Sequence, residues 1–358
     1  GAEFYLALAE ARLGNRLAAA ERFGALADDG VEEYAAEARL RQGNLLLEAK
    51  DPAQAQVALE SFLKDYSDHN ATDHATYQLG MALAAQEQWS EAVVRLVAVP
   101  ATSDWRDNAL YRAARCQLDA NATAKAVPLL EELLAEFPES TLAMPATLSL
   151  AEINLDSGKH DAVIAALQPL AEERLRGQTI YRIRYLLGGA FFGKDNFKES
   201  AAAYEGMMRR APKEQVLTAS WRAGESRRKL GEYSRALIHF QLAERADVDD
   251  ANATLGLKES AALQVAEMQG NIGRWRDALG SFEKFLENYP ESKSLRLAQA
   301  GQAQAQIQKD QAETALKTLN ALLQTEAKDE AAARAQFLMG EYFMKMKDSA
   351  KAMGEFAK

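Results

Sequence analysis

The chain has 358 residues, 48% hydrophobic but only 8% aromatic, and 52 acidic against 42 basic side chains give it a net charge of −10. It has no apolar run near 18 residues, which excludes a membrane-spanning helix, and no basic-then-apolar secretory leader at its start. The single cysteine, Cys116, excludes an intrachain disulfide framework and a cysteine-based zinc site.

From its first residues onward the chain repeats itself. Gly or Ala stands at positions 7, 43, 80, 114, 151, 188, 224, 266, 303 and 340, at steps of 36 or 37 apart from one of 34 and one of 42. Twelve residues after each stands a small or modest residue, Ala at eight places and Val163 and Ser200 at the others. Sixteen after each stands a large apolar one: Phe23, Leu59, Leu96, Leu130, Leu167, Tyr204, Phe240, Phe282, Leu319 and Phe356. A fixed period of this length predicts stacked supersecondary units. Repeat two adds a helix start, with Asp51 as N-cap and Pro52 in the first helical position. Cys116 follows a small landmark by two residues and is expected to be a buried, inert thiol. Pro128 and Pro169 fall inside or near the end of second helices, where each removes a backbone bond. Repeat six is the clearest: Tyr185-Leu186-Leu187-Gly188 precede the turn at Asp195-Asn196-Phe197, and Ser200, Tyr204 and Pro212 follow. Apolar residues recur at helical spacing on both sides of that turn, so each unit reads as helix, tight turn, helix. The long step lies at 244–258, around Asp247, Asp249 and Asp250.

These landmarks resemble the tetratricopeptide repeat, with Leu230-Gly231-Glu232-Tyr233-Ser234-Arg235-Ala236 and Gly273-Arg274-Trp275-Arg276-Asp277-Ala278 the strongest local matches. The resemblance implies an all-α fold, a right-handed α-solenoid of about ten helix pairs. It spans 1–358 as one superhelix of nine full repeats and a truncated tenth. The endings Leu134-Ala135-Glu136-Phe137-Pro138-Glu139-Ser140 and Phe285-Leu286-Glu287-Asn288-Tyr289-Pro290-Glu291-Ser292 are similar to the bacterial cell-envelope branch of outer-membrane assembly and Tol–Pal-associated proteins. That likeness implies a periplasmic or envelope location, with the cytoplasm as the alternative. The chain opens inside a helix at Phe4 and stops inside one at Phe356. Targeting signals and a capping helix are accordingly expected to lie outside it, and any membrane association to come through those parts.

Catalytic chemistry finds no footing. His69 and His74, five apart, do not share a helical face as a metal pair requires, His160 takes a packing position, and His239 is expected to be solvated. No serine or cysteine has the setting of an activated nucleophile, and no phosphate loop is present, so no enzyme activity, cofactor or metal is expected. Charge is more telling. Residues 174–229 hold thirteen Lys or Arg and five acids, a local +8 that leaves −18 for the remainder. It reads either as a mixed solvated surface or as a basic patch for an acidic protein, and not as a nucleic-acid site.

The resemblance places the first helix of each pair on a concave groove. Three residues before each landmark stand Phe4, Leu40, Tyr77, Tyr111, Leu148, Tyr185, Trp221, Leu263, Ala300 and Phe337. The leucines are expected to be core between repeats. Tyr77, Tyr111, Tyr185 and Trp221, with Arg182 and Arg228 sharing their helix faces, are the candidate partner-binding residues. The expected function is a noncatalytic scaffold that binds a partner protein or extended peptide, acidic and apolar in character. The alternative is a regulatory or substrate-presenting module of a larger enzyme or membrane protein.

Overall fold

A computed structural model of the chain describes residues 1–29, 34–172, 177–208, 211–246, 251–324 and 329–358; of residues 172, 213, 214 and 251–255 it describes the backbone alone. Twenty α-helices and no strand lie among the described residues. Two compact units divide the chain at Ser157 and Gly158. The first holds α1 (Ala2–Arg12), α2 (Arg16–Asp28), α3 (Ala35–Glu48), α4 (Pro52–Asp65), α5 (Thr72–Ala85), α6 (Trp89–Val97), α7 (Arg106–Asp119), α8 (Thr123–Glu136) and α9 (Ala143–Asp156). The second holds α10 (His160–Glu172), α11 (Gln178–Gly193), α12 (Phe197–Met208), α13 (Lys213–Lys229), α14 (Tyr233–Glu244) and α15 (Ala251–Asn271). It continues with α16 (Trp275–Asn288), α17 (Leu295–Gln308), α18 (Ala312–Leu323), α19 (Glu330–Lys345) and α20 (Ser349–Phe356).

One turn recurs in all ten repeats. Seven residues after each landmark the backbone enters the left-handed region, with φ between 56° and 87°. Glycine fills the position at 14, 158, 231 and 273, where the absence of a Cβ removes the clash, and Asn121, Asp195 and Asp310 tolerate it next best. Lys50, Glu87 and Lys347 adopt it against their preference. In nine of these turns the following residue's N–H donates to a carbonyl five residues back, as Asp51 does to Leu46 and Asn196 to Phe191, both at 2.9 Å. An orphan carbonyl at the helix end is thereby satisfied. Asp51 also caps α4, its Oδ1 accepting from the Gln54 N–H at 3.1 Å, and Pro52 is the first helical residue.

Packing follows the same register. The residues twelve after each landmark, from Ala19 to Ala352, are all fully buried. The large residues at sixteen are buried too, except Phe356, which is 47% exposed. Their spacing is a direct contact: a Cβ on Gly80 would lie 2.5 Å from Leu96, and one on Gly188 would lie 2.6 Å from the Tyr204 ring. Ser200 bridges the same close approach, donating to the Gly188 carbonyl at 2.8 Å and sharing a buried 2.9 Å bond with the Ser226 hydroxyl. Each buried Phe or Leu contributes on the order of 2 kcal/mol, so the stripe carries much of each unit's stability.

The linkers use serine in a way the sequence only hinted at. Ser140 Oγ donates to Asp107 at 2.5 Å, in the first turn of the previous first helix, and accepts from the Leu142 N–H at 3.0 Å. Ser292 repeats this with Glu259 and the Ser294 N–H. The 42-residue step is taken up within the helix: α15 has 21 residues where α17 has 14. Asp247, Asp249 and Asp250 lie outside the described residues. Helices α8 and α10 run on through Pro128 and Pro169.

Candidate partner-binding face

The odd-numbered helices carry the row three residues before each landmark. Leu40, Leu148 and Leu263 are buried core, as expected of the leucines, and so are Phe4 and Ala300. Tyr77 is only 7% exposed and lies stacked on Trp105 at 5.2 Å between ring centroids. Tyr111 is half-buried against the α7–α9 core. Phe337 is exposed and leans on Phe356.

In the second unit, α11, α12 and α13 enclose a cavity of about 460 Å³ lined by Tyr181, Arg182, Tyr185, Met207, Gln215 and Thr218. Two of the six candidates, Arg182 and Tyr185, thus meet in one groove. Residues 178, 182 and 185 follow one another at helical spacing, so they share the face of α11 that turns towards α13. Gln215 donates to Gln178 at 2.8 Å and ties the two helices together. Tyr185 meets Tyr204 edge to face at 6.0 Å, and burial pushes the Tyr204 phenol above its ordinary pKa, so it stays protonated.

Trp221 and Arg228 do not line this groove. Trp221 is half-buried, packed against the cluster that holds Leu237, Phe240 and Val265 and the one that holds Leu217 and Ala261. Its indole N–H is buried without a partner, and the Arg222 guanidinium lies 5.2 Å from its ring. Arg228 lines a second cavity, of about 390 Å³, with Leu263, Glu267 and Arg334. Glu225 holds it through bonds of 2.8 and 3.1 Å, which raise its pKa further.

Part of the basic stretch is held by contacts within the protein. Arg227 donates to Glu205 at 2.8 and 2.9 Å and to Glu232 at 2.7 Å, Arg184 donates to the Gly206 carbonyl, and Lys194 pairs with Asp161. Arg209 and Arg210 lie outside the described residues, as does the Lys213 side chain. His239, expected to be solvated, is instead 15% exposed, its Nε2 3.0 Å from Glu205. Its partner stands 34 residues away, a repeat-length separation that no local pattern reports. Burial alone would raise the Glu205 pKa, but the hydrogen bonds from Arg227 and His239 outweigh it and hold the carboxyl below its usual range. The other expectations concern packing. Burial pushes Cys116 up to about 11, in keeping with an inert thiol. His160 packs against Gly193, and His74 stacks on Trp105 at 4.2 Å. Among the described residues no His/Cys/Asp/Glu group could hold a metal ion, and no helix is long and apolar enough to cross a membrane.

The family model described as YfiO, outer membrane lipoprotein, matches residues 4–228. The chain belongs to the YfiO family. The match runs from α1 to the end of α13 and so takes in Tyr77, Tyr111, Arg182, Tyr185, Trp221 and Arg228. A tetratricopeptide repeat model matches residues 260–292, which cover most of α15 and all of α16. Among solved structures, this YfiO-family chain is similar to the apo form of RapI, at 11% identity and a TM-score of 0.50, covering 89% of this chain and 96% of that one. It is also similar to the C-terminal part of a TPR repeat-containing protein from Cytophaga hutchinsonii, at 16% identity and a TM-score of 0.51, covering 72% and 98%. At these identities the likeness shows the tetratricopeptide fold. No curated protein matches the sequence.

Proposed function

We propose that this chain is a noncatalytic docking module of the bacterial cell envelope that holds an apolar, acid-containing segment of a partner protein against α11 and α13. The observation that carries the reading is the groove of about 460 Å³ in which Tyr181, Tyr185 and Met207 lie beside Arg182. Tyrosines combine contact area with a polar tip and few rotatable bonds, and a thioether adapts to the shape beside it. Arg182 adds a planar donor fork suited to a carboxylate. Membership of an outer membrane lipoprotein family supports the envelope setting. The apolar wall supplies most of the affinity, and Arg182 fixes orientation and speeds association.

Site-specific crosslinking in intact cells tests this. A photo-crosslinking residue in place of Tyr185 or Tyr181 is expected to capture one discrete partner. The same residue in place of Ile238, 63% exposed on α14, is expected to capture none or a different one. Equal capture of many proteins from all three positions would refute the groove as a specific site.

A further inference from the structure

The second cavity holds a contact that reaches past a neighbour. Arg334 on α19 donates to both carboxylate oxygens of Glu267 on α15, at 2.6 and 3.1 Å, and to Gln304 on α17 at 2.7 Å. The two partners are 67 residues apart and span a full intervening helix. Ala300, the one small residue of its row, is fully buried on α17, between Leu297, which lines the cavity, and Gln304, which accepts from Arg334.

The pair is neither sealed nor unique in its surroundings. Glu267 is 21% and Arg334 26% exposed, so water and solutes reach both. Arg228 lines the same cavity, already held by Glu225, and Glu267 adds to the negative potential it feels. The Glu267 carboxylate therefore faces two guanidinium groups in a cavity that Leu263, Leu297, Tyr233 and a second carboxylate, Glu330, also line. That is the position an acidic side chain of a bound segment would seek. We infer that Glu267 is an internal stand-in: it masks Arg334, and an acidic side chain of the bound partner displaces it and takes its place on the guanidinium. Exchange of one partly exposed carboxylate for another on the same fork is close to balanced, so the partner's neighbouring apolar contacts decide it. Arg334 becomes a second anchor, and the network of α15, α17 and α19 loosens when the partner docks. This rests on the acidic, apolar partner proposed above, but involves none of the residues of the α11–α13 groove.

The probe is a labelled hexaglutamate peptide, with hexalysine as control, titrated by fluorescence anisotropy at low salt. Glu267→Ala should bind hexaglutamate at least about fivefold more tightly than the unmodified protein. Adding Arg334→Gln should abolish that gain. The exchange of both, Glu267→Arg with Arg334→Glu, restores an ion pair and should bind no better than the unmodified protein. No gain in Glu267→Ala, or a gain that survives Arg334→Gln, overturns the inference. In the unmodified protein, saturating hexaglutamate should shift the Arg334 Nε–H resonance while hexalysine leaves it in place. An unmoved resonance overturns the inference whatever the fate of the variants. Failure here with success of the Tyr185 crosslink removes the mask and leaves the docking groove standing.

Discussion

At the scale of single residues, the left-handed position in each turn separates what chemistry requires from what a sequence displays. Gly231 meets the requirement and Glu87 defies it, at φ 72° and 60° respectively. Glu87→Gly should therefore raise stability by up to about 1 kcal/mol, while Gly231→Val should lower it by about 1–2 kcal/mol. Paired denaturant curves check both, and a Gly231→Val protein as stable as its parent would contradict the turn geometry. Glu205 makes a prediction about pH. Its carboxyl is held below the usual range in the folded state, so its contribution is present above the unfolded value and is lost as pH falls through the lower folded value. Glu205→Gln should then cost most near neutrality, and its deficit should shrink below about pH 4. A deficit that stays constant from pH 7 to pH 3 would show that the Arg227 and His239 contacts do not bind the ionised form preferentially.

At the scale of helices and linkers, much was legible and the rest was hidden for identifiable reasons. The spacing of twelve and sixteen residues translated directly into contact, because a small residue such as Gly80 is demanded wherever Leu96 presses on a backbone. The Phe137-Pro138-Glu139-Ser140 ending was readable as a boundary but not as a mechanism. Only the fold shows Ser140 clamping Asp107 while it accepts from the next helix. Ser140→Ala should cost about 1 kcal/mol, in line with loss of a capping hydrogen bond, and hydrogen exchange should quicken at the starts of α7 and α9. Unchanged exchange at both helix starts would count against the clamp. His239, Glu205 and Arg227 could not be paired from sequence, since His239 and Arg227 lie 34 and 22 residues from Glu205 and the pattern conveys period without cross-helix register. The candidate site was legible in part. Tyr185 and Arg182 do share a groove, whereas the indole of Trp221 turns against buried side chains of α14 and α15. An aromatic at a repeated position looks the same in both roles.

At the scale of the whole molecule, stability in each unit is a sum over neighbouring helices, because most inter-helix contact joins elements adjacent in sequence. Ala278→Leu should overpack the α15–α16 pair and cost about 1–3 kcal/mol. The lost protection should centre on α15–α17 and leave α1–α7 unchanged; uniform loss along the chain would contradict nearest-neighbour packing. The functional claim is more demanding, because it asks one groove to carry recognition on an otherwise repetitive surface. The most direct test is calorimetric titration of the protein captured at position 185, run beside thermal melts, on Tyr185→Ala and Trp221→Ala. Tyr185→Ala should keep its melting temperature within a few degrees and bind about tenfold or more weakly, and Trp221→Ala should lose stability first. A stably folded Tyr185→Ala protein that binds its partner with undiminished affinity would contradict the account.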